Sequence, residues 1–395
     1  MERNFASVTI TDKGVRFLRA GHSWVYADEV TGVKGLYEPG DIVDVYSGRG
    51  RWLGAGFVND RSKIRVRIVS KNPNDRFDGA FWRRRVRWAL DYRKAVMGEE
   101  YAACRLIFGE ADGFPGLTVD RYNGVLVTEV LSAGMERVKE LLYDILMEEP
   151  GFEAVYERSD SPLRGKEGLA CMTGFARGSG SGHTVIRENG LLFDVDYING
   201  QKTGFFLDQK ENRRAAARFA RGRRVLDCFT HTGAFALNAA AGGAARVTAV
   251  DVSQSALDEA AKNAALNGLD ILFVRADVFE LLTRMDGEGR GEYDYILLDP
   301  PAFTKSSATR QAAFRGYKEI NRKAMKLLPR GGFLATCSCS HFMTDELFRQ
   351  MLTEAARDVN VSLRQAYVGR QAPDHPILWG VPETDYLKYY IFQVV

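Results

Sequence analysis

The sequence predicts an α/β protein: a doubly wound, Rossmann-like parallel sheet in the C-terminal half, preceded by a small α+β domain and an N-terminal β-barrel. Three observations predict it. From about residue 200, near-continuous apolar strands alternate with helical segments, the pattern of a parallel sheet covered on both faces. The first 73 residues are instead short β-rich runs broken by turns. Residues 74–199 mix a basic helix, a hairpin and a second helix. The expected divisions are therefore 1–73, 74–199 and 200–395.

Taken in order, "SVTIT", "DIVDVYS", "WLGAGFV" and "KIRVRIV" read as strands, broken by "EPGD" and "SGRG". The second break suits a hairpin turn. "KNPND" reads as a linker, and a basic amphipathic helix follows over roughly Phe77 to Met97. "LTVDRY" and "VLVTEV" flank Asn123-Gly124, a strong hairpin signal. The helix "MERVKELLYDILMEE", the strand "AVYERS", the Gly-Ser loop in "TGFARGSGSG" and a hairpin at 188–190 complete the middle. The C-terminal strands are "RRVLDCF", "RVTAVDV", "ILFVRADV", "YDYILLDPP" and "GFLATCSCS". Between them lie the helices "FALNAAAGG", "SALDEAAKNAALNG", "FELLTRM" and "YKEINRKAMKLL".

Composition narrows the class. Of 395 residues, 45% are hydrophobic and 27% charged, which excludes a disordered or fibrous chain. The net charge of +3 names no partner, but Arg and Lys cluster with aromatics in "FWRRRVRWALDYRK", including Trp82 and Trp88. That run and the barrel are the candidate RNA-binding surface. No apolar run reaches the roughly 18 residues of a membrane helix, so no membrane partner is expected. The N-terminal "MERNFASVTITDKG" lacks a signal-peptide core, and five cysteines, an odd number, fit a reducing cytoplasm. A cytoplasmic location is expected. Cys337 and Cys339 form C-x-C with no second pair at zinc-ligand spacing, so no metal is expected.

In a parallel sheet of this kind, ligands bind at the carboxyl ends of the strands. "VLDCFTHTGAFAL" is a strand, a loop and a helix start, in which Gly233 lets the backbone approach a ligand. It lacks the G-x-G-x-x-G of a dinucleotide cradle. Asp227 ends the first strand of this sheet, and Asp251, at the end of the second, is placed to accept from ribose hydroxyls. Asp277 ends the third, where it could accept from an adenine amino group while Val278 lies against the ring. Asp299 opens the stiff loop "DPPAF". Any one of these acids could simply cap a strand end; together they describe an adenosine pocket. Gly204, Phe205 and Phe206 in "NGQKTGFFLDQKENR" could close over its apolar side, and Asp208 could cap a helix beginning at Gln209. "TCSCS" lies at the end of the fifth strand, where both cysteines would face one side of a regular strand.

These residues resemble class I S-adenosylmethionine-dependent methyltransferases. More closely, "GFFLDQKENR", "DCFTHTGAFAL", "DPPAFTKS", "RGYKEIN" and "SCSHFM" resemble the bacterial large-subunit (23S) rRNA 5-methylcytosine methyltransferases. The resemblance spans nearly the whole chain and implies a PUA-like RNA-binding barrel at Val8 to Val69. It implies S-adenosylmethionine as cofactor and rRNA, naked or in an early precursor, as substrate. It implies a cofactor pocket of Asp227, Phe229, Gly233, Asp251, Asp277 and Asp299, to which Thr203, Phe205, Phe206, Val252, Ser253 and Val278 are added. It makes Cys339 the catalytic thiol, with Asp299 beside it. A thiolate adding to carbon 6 of cytosine activates carbon 5 for methylation. One departure stands out: many RNA 5-methylcytosine enzymes carry a second Cys after the proline of the fourth-strand motif, and here it reads "DPPAF". That arrangement is shared with 5-methyluridine enzymes. An amino-methyltransferase acting on guanine or adenine is the other rival, and an RNA-binding assembly factor with a vestigial pocket is a third. A homodimer is compatible with all of them.

Overall fold

The computed structural model describes residues 4–288, 292–304 and 307–395, so Lys305 and Ser306 of "DPPAFTKS" lie outside the described residues. The chain divides into two compact units. The first comprises residues up to Ile186 with Val195–Leu207 and Pro373–Thr384; the second comprises Arg187–Asp194, Asp208–Ala372 and Asp385–Val395.

In the first unit, β1 (Ala6–Ile10), β2 (Trp24–Tyr26), β3 (Val30–Lys34), β4 (Ile42–Ser47), β5 (Trp52–Val58) and β6 (Ile64–Ser70) form a six-stranded sheet. Its order is β2-β6-β5-β4-β1-β3, with β1 and β4 parallel and the other pairs antiparallel. Helix α1 (Asp12–Arg19), which the strand pattern does not foresee, is capped by Thr11 and buries Val15 and Leu18.

Helix α2 (Gly79–Met97) is capped by Asp78 and leads into a second sheet. This sheet contains β7 (Ala103–Phe108), β8 (Leu117–Tyr122), β9 (Val125–Val130), β10 (Ala154–Ser159) and β11 (Met172–Arg177), in the order β11-β10-β9-β8-β7. Helices α3 (Ala133–Met147) and α4 (Arg164–Glu167) connect its strands. Asn123, at φ 57°, makes the β8–β9 hairpin turn its Asn-Gly signal predicts.

The first sheet has a core of its own, including Val8, Val25, Val43 and Val66, and is also joined to the second. Phe57 and Val69 share one core with Phe81, Trp82, Phe114 and Leu142. Phe57 stacks on Trp82 at 6.1 Å, and a Cβ on Gly134 of α3 would fall 1.9 Å from Phe57 Cγ. That shared core is why a division at residue 73 is finer than the compact units. It also corrects the reading of Trp82 as an RNA-contacting side chain. Trp82 is 1% exposed, whereas Trp88 is 57% exposed.

The hairpin β12 (His183–Glu188) and β13 (Leu191–Asp196) turns at Asn189-Gly190. The second unit then begins its helices with α5 (Lys210–Arg218). Strands β14 (Arg224–Cys228), β15 (Arg246–Asp251), β16 (Leu272–Arg275), β17 (Tyr295–Leu298) and β18 (Phe333–Ser338) follow, with α6 (Ala234–Ala241), α7 (Gln254–Leu266), α8 (Val278–Glu288) and α9 (Arg310–Leu327) between them. After α10 (Asp345–Asp358) come β19 (Leu363–Gly369) and β20 (Lys388–Val394). The sheet order is β16-β15-β14-β17-β18-β20-β19. The first five strands are mutually parallel, as expected, and β20 inserts antiparallel between β18 and β19. The order reverses at β14, so β14 and β17 diverge in the direction from which their connections leave, and a ligand crevice opens at their carboxyl ends.

Candidate active site

The loop after β14 is held in an uncommon conformation. Phe229 (φ 64°) and His231 (φ 50°) are both left-handed, a conformation that costs non-glycine residues on the order of 1–3 kcal/mol each. Side chains at neighbouring strand ends fix it. Thr230 Oγ1 donates to Asp227 Oδ2 at 2.6 Å, and the His231 N–H donates to Asp251 Oδ2 at 2.9 Å. Gly233 (φ 83°) then turns the chain into α6; a Cβ there would meet Ala260 Cβ and Leu237 Cδ1, each at 2.9 Å.

The acids at the strand ends differ in environment. Asp227 is fully buried, and burial pushes its carboxyl up to about 7. Asp251 is half-buried and also accepts from the Ser253 N–H at 2.9 Å. Ser253 caps α7 through Ala256 N–H at 3.3 Å. Beside it, Val252 is 63% exposed, an apolar side chain held in the open. Asp277 is exposed and accepts from the Glu280 N–H at 3.1 Å, so one of its oxygens caps α8. Val278 is 3% exposed and packed in the main core of this unit. Its apolar surface is spent on α8 packing, which corrects the reading that lays it against an adenine ring; the exposed Val252 has that surface available. Phe229 and Phe279 meet edge-on at 6.5 Å, and Phe279 touches Phe303 of "DPPAF" at 5.7 Å.

Asp299 sits at the end of β17. Its Oδ1 accepts from Gln209 Nε2 at 3.1 Å and from the Cys337 thiol at 2.8 Å. Burial raises its carboxyl to about 6, within reach of proton transfer at neutral pH. Cys337 is fully buried, and burial followed by the nearby Asp299 charge pushes its thiol well above the ordinary range. Cys339 lies one residue past the end of β18 and is half-buried. Ser338 donates to Tyr317 OH at 3.0 Å, and Ser340 Oγ donates to Thr304 O at 3.0 Å. Gln209 lies within "GFFLDQKENR", Tyr317 within "RGYKEIN" and Cys337 within "TCSCS", but the sequence gives none of the three these partners.

Thr203, Phe205 and Phe206 belong to the first unit. There Thr203 Oγ1 donates to Asp120 Oδ2 at 2.6 Å, Phe205 is buried, and the Lys202 ammonium lies 4.9 Å from the Phe206 ring centre. Asp208 is not the helix cap: α5 begins at Lys210 with no side-chain cap, and Asp208 instead accepts from Tyr386 OH at 2.6 Å.

The strand-end residues fit an adenosyl cofactor. Asp251 has carboxylate lone pairs beyond the two amides it serves, which suits a ribose diol, and the exposed Val252 suits an adenine face. Gly233 is required at the start of α6 by its left-handed φ and by the close packing of Ala260 and Leu237.

Comparison with known proteins gives the same direction. The profile of S-adenosylmethionine-dependent methyltransferases matches residues 116–382, and a PUA-like domain matches residues 8–71. The chain is 43% identical over 378 residues to the ribosomal RNA large subunit methyltransferase I of Shewanella amazonensis, covering 94% of this chain and 95% of that protein. A solved structure described as a SAM-dependent methyltransferase of Streptococcus mutans superposes with a TM-score of 0.83 at 21% identity, covering 98% of this chain and 99% of the other. Another, a methyltransferase complexed with S-adenosylhomocysteine, gives 0.84 at 21% identity over 98% and 99% of the two chains.

Proposed function

From the premise that the chain belongs to the S-adenosylmethionine-dependent methyltransferase family and carries a PUA-like domain, we propose that it methylates carbon 5 of a cytidine in large-subunit ribosomal RNA. S-adenosylmethionine, when bound, supplies an electrophilic methyl group on a positively charged sulfonium. Asp251 and Val252 hold its adenosine, and Asp227 and Gly233 shape the floor of the pocket.

Carbon 5 of cytosine is a weak nucleophile. Addition of the Cys339 thiolate at carbon 6 turns the ring into an enamine-like species whose carbon 5 can accept the methyl group. Loss of the carbon 5 proton then expels the thiolate and restores the ring. The target base leaves its stack to reach the thiol. Asp299, with a carboxyl near 6, holds the base edge or exchanges a proton with it. One observation carries the choice of thiol. Cys337 is buried and its S–H is committed to Asp299, whereas Cys339 lies beyond the strand and is partly open.

Cys339→Ser preserves shape but gives a far poorer nucleophile near neutrality. It is expected to bind S-adenosylmethionine normally and to lose methyl transfer to rRNA almost entirely. RNA containing 5-fluorocytidine is expected to trap the wild type as a denaturation-resistant adduct, because the carbon 5 proton needed for release is missing. Nucleoside analysis of the product separates 5-methylcytidine from 5-methyluridine and from N-methylated purines. Methylation by Cys339→Ser at near wild-type rate would overturn the thiol mechanism in favour of the amino-methyltransferase reading.

A further inference from the structure

We infer that Lys388 is a positioning residue for Cys339: its buried ammonium fixes the segment that carries the thiol and holds that thiol in its thiolate form. The inference rests on the covalent reading above and adds the residue that prepares the nucleophile.

The geometry is specific. Lys388 opens β20 and pairs across the sheet with Ser338, the residue before Cys339. Its side chain then turns to the residue after Cys339, donating from Nζ to the Ser340 carbonyl at 2.6 Å. A second donation goes to the Tyr386 carbonyl at 2.7 Å. Cys339 is thus bracketed on both sides by one residue of a neighbouring strand. An ammonium has three donors, and carbonyl partners leave its positive charge uncancelled.

The surrounding charges leave that cation to the thiol. Lys388 is 3% exposed, and the groups that act on it are Cys339, Asp385, Arg370 and Asp345. Asp385 is paired with Arg370 at 3.2 Å, and Asp345 accepts from Tyr390 OH at 2.5 Å. Both carboxylates therefore have partners of their own. Burial lowers the Lys388 ammonium to about 8, and the Cys339 thiolate is the largest influence opposing that fall. The attraction is mutual: a cation that a thiolate stabilises also lowers the pKa of that thiol. A lysine used only to tie down a loop needs no nearby anion, and its burial would be a net cost.

A pH window follows. The thiolate and the ammonium coexist from the titration of Cys339 upward until Lys388 loses its proton near 8. Above that point the thiolate keeps its charge but loses its partner.

The test reads the thiol directly, without RNA. Alkylation of Cys339 by iodoacetamide is followed by peptide mass spectrometry across pH in the full-length protein. In the wild type, Cys339 is expected to titrate below the ordinary thiol value of about 8.5. In Lys388→Met, alkylation at pH 7 is expected to fall about tenfold, the effect of a shift of about one pKa unit. Lys388→Arg keeps the charge and is expected to stay within about threefold of wild type. S-adenosylmethionine affinity and thermal midpoint monitor the fold. An unshifted titration in folded Lys388→Met overturns the proposal. So does a wild-type Cys339 that titrates at or above the ordinary value, a result that needs no variant. Neither outcome bears on the base that is methylated, which the nucleoside assay of Cys339→Ser decides separately.

Discussion

Replacing Asp251 with alanine isolates what the β15 end contributes to cofactor binding. Its two oxygens already accept from His231 N–H and Ser253 N–H, each at 2.9 Å. An ionised carboxylate offers about four lone-pair positions, so roughly two remain for a ribose diol. A hydrogen bond to a charged group is worth about 1.5–3 kcal/mol net. Losing the ligand bonds should therefore weaken S-adenosylmethionine binding by at least about 1.5 kcal/mol, a tenfold or greater rise in Kd. The variant also frees His231, whose left-handed backbone is pinned by this carboxylate, so part of the loss comes from a loosened loop. Asp251→Asn keeps one accepting oxygen and should fall between the two. Isothermal calorimetry with cofactor alone measures the effect, and a thermal melt guards against unfolding. A folded Asp251→Ala protein with Kd within about twofold of wild type would remove Asp251 from the pocket.

Three further expectations concern other sites. Cys337→Ala should retain substantial methyl transfer. Its thiol lowers the Asp299 pKa, so its loss should move that carboxyl up from about 6 and shift the acid limb of the kcat–pH profile to higher pH; an unmoved limb would count against a role for ionised Asp299. Asp227 has its pKa raised in the folded state, so its contribution to stability is present below its unfolded value and lost as pH rises through about 7. Asp227→Asn should flatten the fall in thermal midpoint across that range, and an unchanged slope would contradict it. Trp88→Ala should weaken rRNA binding by about 1–3 kcal/mol if a base stacks there, within an overall affinity that falls steeply with salt; a flat salt dependence in a fluorescence titration would argue against this surface.

The parallel sheet was legible because its strands are buried on both faces and so read as apolar runs, and the Asn123-Gly124 turn was legible because Asn is among the few non-glycine residues that readily take the left-handed conformation Asn123 adopts. The strand-end acids were found by position alone. What escaped depends on pairing across distance. Strand β20 carries no mark of its antiparallel insertion between β18 and β19, and without that register nothing connects Lys388 to Ser338 and Ser340. Gln209 lies in the quoted "GFFLDQKENR", yet its partner Asp299 is known only once the fold brings the two together. Trp82 is different, since the signal was available: at ~100° per residue it lies about 240° around α2 from Trp88, on another face of the helix. The two cysteines looked equivalent because alternation was carried one residue too far. The strand stops at Ser338, so Cys339 no longer obeys its period.

The segment Pro373–Thr384 sets an order of events during synthesis. It belongs to the first unit although nearly all of the second unit precedes it in the chain. Within that first unit, Asp374 accepts from the Arg105 N–H at 2.9 Å, and its carbonyl accepts from the buried Arg93 guanidinium at 2.9 Å. Until residue 374 has left the ribosome, these donors lack their acceptors. An N-terminal fragment ending before Pro373 would keep Arg93 paired with Asp112 but leave the Arg105 amide without its acceptor. The unit made first is thus completed only after most of the second unit has been made, and the second is completed only at its last strand, so neither unit has all its residues until the chain is nearly finished. Because the units interleave along the chain, no single cut separates them into two continuous halves.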